Sequence, residues 1–130
     1  MEKQMPNHQV SESAPSRGVV LTKAVMRAAD RLGMSGKLLS NVLGLSEAQV
    51  SRMKNGEAAL TESSKAFELS ALLVRVFRSL DAIVGGDERT ARVWVVSQNA
   101  ALHGRPIDRM VSIQGLADVV TYLDARRAPI

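Results

Sequence analysis

The sequence contains no cysteine. That excludes disulfide staples and thiolate metal sites. It has only two histidines, His8 and His103, which stand far apart and lack ligand-like neighbours, so no metal centre is expected. Aromatic residues are 3% of the chain, which leaves leucine, valine, alanine and methionine to do the packing. Such a mixture favours helices over sheets. No apolar run is long enough to span a bilayer, and Met1 to Ser16 lacks the apolar centre of a signal peptide. A cytoplasmic location is the expectation. No nucleophile–base pair, carboxylate pair or phosphate loop stands out. Gly85-Gly86 is followed by Asp87-Glu88, and carboxylates are the wrong neighbours for a phosphate cradle. The chain reads as a binding protein, not an enzyme, and no cofactor is implied.

What is present suits a small all-α protein. A chain of 130 residues, 45% of them hydrophobic, is enough for one compact domain or two very small ones sharing a core. The net charge of +4 is unevenly placed: residues 1–80 carry all of it, and residues 81–130 balance to zero. A basic half is expected where phosphate contacts supply affinity.

That half holds the most informative stretch, Leu38 to Gly56. Leu38, Leu39, Val42 and Leu43 share one helical face. Gly44 suits a helix end that needs the left-handed conformation. Ser46 restarts the chain, and Ser46-x-x-Gln49 has the spacing of a capping box. Val50 and Met53 point back to the first helix, and Asn55-Gly56, a pair tolerant of positive φ, closes the second. The residues left outward are small, polar and partly cationic, as a helix in the major groove requires. The DNA-facing set is Ser46, Glu47, Gln49, Ser51, Arg52 and Lys54. Arg52 and Gln49 suit base edges, and Ser51 and Lys54 suit phosphates. Glu47 accepts from a cytosine amine or only favours the helix dipole. An αα-hairpin without DNA affinity has some of these features. The apolar face, glycine turn, serine cap, polar outer face and Asn-Gly stop occur here together. With them, Val19 to Leu80 resembles the Cro/phage-repressor family of helix-turn-helix domains, often called Xre-like.

The rest of the chain reads as follows. Met1 to Arg17 is a polar tail, Val19 to Leu32 a first helix, and Glu62 to Val84 a long helix capped by Thr61. Leu21, Val25, Ala28, Ala29 and Leu32 form the buried stripe of the first. The apolar stripe of the long helix, from Ala66 through Leu73 and Leu80 to Ile83 and Val84, is more than the preceding helices can cover. The C-terminal half, a second copy, or both must bury it. Asp87 caps a helix Glu88 to Val96 with Trp94 as a core anchor; Ile107 to Val111 and Ile113 to Ala125 follow, and Arg126 to Ile130 is a short tail.

A second resemblance lies in Ala82 to Leu123. Its residues are Gly86-Asp87-Glu88-x-x-Ala91-x-x-Trp94 and Ser97-x-Asn99-x-x-Leu102-x-Gly104-x-Pro106-Ile107-Asp108, then Gly115, Val119 and Leu123. Their order and spacing are similar to the toxin-binding domain of the Xre/MbcA/ParS antitoxins. Many members carry Leu-Gly-Gly where this chain has Leu102-His103-Gly104, and many end in a longer glycine-containing tail. The resemblance implies a partner, usually a RES-domain toxin that degrades NAD or ADP-ribosylates a target, and repression of the shared operon. It divides the chain into a disordered tail (1–17), a helix-turn-helix domain (18–60), a connecting helix (61–84) and a toxin-binding domain (85–130). Toxin contacts are expected from Arg105, Asp108, Arg126, Arg127 and Ile130, and a homodimer through residues after Leu60. The alternative is a plain dimeric helix-turn-helix regulator whose C-terminal half dimerises or senses a ligand.

Overall fold

A computed structural model describes residues 14–127, all of them helix, turn or connection apart from one isolated bridge between Asn99 and Gly104. The expected disordered tail, for residues 1–13, and the contact expected of Ile130 lie outside the described residues. The fold is all-α, as composition and periodicity predict. Helices α1 (Arg17–Arg31), α2 (Gly36–Leu43) and α3 (Glu47–Lys54) precede the long α4 (Lys65–Ile83). After it come α5 (Glu88–Val96), a 3-10 turn (Ala100–Leu102), α6 (Pro106–Arg109) and α7 (Ile113–Arg127).

Most boundaries follow from local capping. The side chains of Ser16, Ser35, Ser46, Ser64 and Asp87 each accept a backbone N–H three residues on, at 3.1 Å. The Ser16 cap starts α1 at Arg17, two residues ahead of the expected Val19. The cap of α4 is Ser64, not Thr61. The Thr61 carbonyl instead accepts the Ser64 hydroxyl at 2.7 Å and its N–H at 2.9 Å. The cause is tertiary: the Leu60 N–H donates to Thr22 Oγ1 of α1 at 2.9 Å, within the core. The chain is tied to α1 there and turns helical only after Ser64. At the other end α7 runs to Arg127, so Arg126 and Arg127 belong to its last turn and not to a tail. Helix α6 stops at Arg109, leaving Val111 exposed.

Helix α4 is the spine. It packs on α1 along one flank and on α7 along the other. Leu73, Val76 and Leu80 are buried, and one core cluster runs from Val25 of α1 to Leu123 of α7. The C-terminal half thus covers the long apolar stripe. Phe77 within the stripe and Val84 at its end are half-buried, and Ile83 is exposed. Leu21 and Leu38, expected inside, are half-buried too. Polar contacts fasten the α4–α7 seam. Asp124 pairs with Arg75 and accepts the Ser79 hydroxyl at 3.0 Å, and Arg127 donates to Ser79 at 3.3 Å.

Candidate nucleic-acid interface and C-terminal surface

The turn before α3 is made by Gly44, at φ 68° and ψ 31°. This left-handed conformation strains a residue with a Cβ, and glycine adopts it freely. The Leu45 N–H then returns to the Ser40 carbonyl at 3.0 Å. The capping box forms in both directions, with Gln49 N–H on Ser46 Oγ at 3.1 Å and Ser46 N–H on Gln49 Oε1 at 2.9 Å. Val50 and Met53 are buried and fix the rotation of α3. At its far end Asn55 stays right-handed, and only Gly56 takes a positive φ, 78°.

That rotation divides the DNA-facing set. Ala48, Ser51 and Arg52 lie opposite the buried pair, pointing outward by helical geometry. Glu47, Ser51 and Lys54 edge a hollow of about 390 Å³ shared with Met26 and Asp30 of α1 and Gly36 of α2. Gln49 and Arg52 edge a smaller hollow, about 220 Å³, toward Leu60 and Ser64. Ala48 was not singled out from sequence, yet its exposed methyl sits at the centre of the face, where it suits a thymine methyl. Gln49 Oε1 is already occupied by the cap, so a bidentate contact to adenine must share that oxygen.

The C-terminal surface is built on α6 and α7. Arg105 and Asp108 form a fork, Nε to Oδ2 at 2.8 Å and Nη2 to Oδ1 at 3.0 Å. The hydrogen bonds from Arg105 hold Asp108 below the usual carboxylate range; desolvation opposes them, and the charge of Arg105 adds a smaller lowering. Arg105 is raised in turn by the same partner. Trp94 is half-buried and stacks on Tyr122, with centroids 6.1 Å apart. The guanidinium of Arg126 lies over the Tyr122 ring, 4.4 Å from its centroid. Arg109 donates to Asp118 at 3.1 Å, and Gln114 donates to the second oxygen of Asp118 at 2.9 Å.

Residues 8–78, more than half of the chain, match the family model described as an antitoxin Xre-like helix-turn-helix domain. Residues 79–128 match that of the antitoxin Xre/MbcA/ParS C-terminal toxin-binding domain. The chain belongs to the Xre-like antitoxins. No curated protein matches it.

The structure of this antitoxin puts the expected residues in three places, on α3, at the start of α6 and on the last turn of α7. The α3 set spreads across the exposed side of the helix between two hollows, with Ser46 as its cap. Arg105 and Asp108 sit together at the start of α6, while Arg126 and Arg127 sit on the last turn of α7 with partners of their own, Tyr122 and Ser79. The halves touch through α5. Arg92 donates to the Arg31 carbonyl at 3.2 Å and to that of Asp30 at 2.9 Å, and Glu88 pairs with both Arg92 and Arg31. Glu88-x-x-x-Arg92 is a visible helical pair, but nothing in the sequence says that it closes on α1. No helix among the described residues is long and apolar enough to cross a membrane.

Proposed function

We propose that this antitoxin neutralises a RES-type toxin, one that consumes NAD or ADP-ribosylates a target, and represses its own operon in the cytoplasm. The observation that carries the reading is the exposed polar face of α3 joined through α4 to a toxin-binding domain. Residues 18–60 serve DNA, 61–84 connect, and 85–130 take the toxin. Arg52 and Gln49 read bases and Ser51 and Lys54 hold phosphates, with Ser46 ordering the helix and Glu47 at its positive end. Arg105, Asp108, Arg126, Arg127 and Ile130 contact the toxin. Arg126 and Arg127 stand at the exit of α7, where guanidinium groups suit a pyrophosphate-shaped pocket. Operator reading takes a homodimer joined through residues after Leu60, because such domains pair to read two half-sites about one helical turn apart.

The test is co-expression with the RES-domain product of the adjoining reading frame. Growth is restored by the full chain. Deleting residues 126–130 leaves repression intact and removes rescue. An antitoxin that still rescues without them does not plug the toxin with its end. Light scattering at micromolar concentration checks the dimer, and a monomer bound to a non-palindromic operator excludes it.

A further inference from the structure

One residue of the C-terminal half has a backbone that its side chain does not favour. His103 ends the 3-10 turn at φ 59° and ψ 39°, and it is the one non-glycine residue with positive φ among those described. Left-handed backbone opposes any residue with a Cβ, although histidine is among the less averse. Strain of this kind, when it persists, is found at sites of function. The imidazole is exposed and stands at the rim of a hollow of about 340 Å³, with Arg109, Asp118, Thr121 and Tyr122 around it. Arg109 is only partly engaged there: its Nη2 meets Asp118, while its Nε is buried with no acceptor. A buried donor without a partner is unfavourable. Arg126, stacked on Tyr122, adds a second cation nearby. The hollow therefore offers an imidazole, two hydroxyls and the Arg109 guanidinium, with Arg126 beside it on the Tyr122 ring, against a single carboxylate that is already bonded twice.

We propose that this hollow is where the toxin docks, that it receives an acidic side chain of the toxin, and that His103 helps to select it. The proposal rests on the antitoxin reading above and adds the place and the chemistry of the contact. It does not involve α3, which lies in the other half of the chain.

The test uses the full-length antitoxin and the purified RES-domain protein of the adjoining reading frame. His103→Gly removes both the imidazole and the backbone strain. Its Tm is unchanged or higher and its operator affinity is unchanged, while toxin affinity falls at least tenfold. His103→Glu binds more weakly than His103→Gln, because only the former repels a carboxylate. Toxin affinity of His103→Gly within twofold of wild type overturns the docking site. Equal binding by His103→Glu and His103→Gln overturns the acidic partner. If the wild-type antitoxin itself binds no RES-domain protein, the functional reading fails first and takes the docking site with it.

Discussion

Arg52 shows what a single exposed residue on α3 is expected to do. It lies on the outward face, one position from Ser51, with Met53 holding the helix from behind. Replacing it by Ala costs about 1–3 kcal/mol of operator affinity and relaxes preference at one base pair. Binding titrations against operator variants check this, and unchanged affinity with unchanged preference removes Arg52 from the readout. Asp108 carries the second prediction at this scale. Its folded pKa lies below its unfolded value, so the Arg105 fork contributes above the unfolded pKa and is lost as pH falls through the folded one. Both groups are at the surface, so the effect is on the local geometry of the Gly104–Ile107 turn more than on folding. Carboxyl-carbon NMR should show Asp108 titrating below the ordinary aspartate value of about 3.9, and Arg105→Gln should return it there. An ordinary titration in the wild-type chain means that the fork does not persist in solution.

At the scale of elements, capping was the most legible layer. Ser46-x-x-Gln49, Ser35 and Asp87 act within three residues, so their geometry is written in the local sequence. The start of α4 was not legible for the opposite reason, since Thr61 and Ser64 are both able caps and a bond from Leu60 to Thr22, 38 positions away, decides between them. The C-terminal hollow was hidden likewise: Arg109 and Asp118 meet across two helices, and nothing local marks His103 as left-handed. The α5 contact with α1 belongs here too. Arg92 caps the carbonyls of Asp30 and Arg31, a role that a cation fills well at a helix C-terminus. Arg92→Ala should destabilise by about 1 kcal/mol, seen as a lower urea midpoint with an unchanged slope. Glu88→Gln removes only half-exposed ion pairs and should lower stability by about half as much or less. Equal losses from the two changes would assign the contact to the ion pairs and not to the cap.

For the whole molecule, the decisive fact is that the DNA-binding and toxin-binding halves do not have separate cores. Two family models meet at residues 78 and 79, inside α4, and the helix continues through the boundary without a break. Leu73, Val76 and Leu80 lie on either side of it and are all buried in one cluster. A chain this small cannot give up the apolar surface of α4 and keep either half folded. Leu73→Ala should therefore cost about 2–5 kcal/mol and lower the stability of both halves together. The sole tryptophan, Trp94, lies in α5 and reports on the C-terminal half, whereas far-ultraviolet circular dichroism reports on every helix. In urea the two signals should follow one transition in the wild type, and one earlier transition in the variant. Separate midpoints, with Trp94 released while much of the helix persists, would mean that the halves fold independently and that α4 is a linker, not a spine.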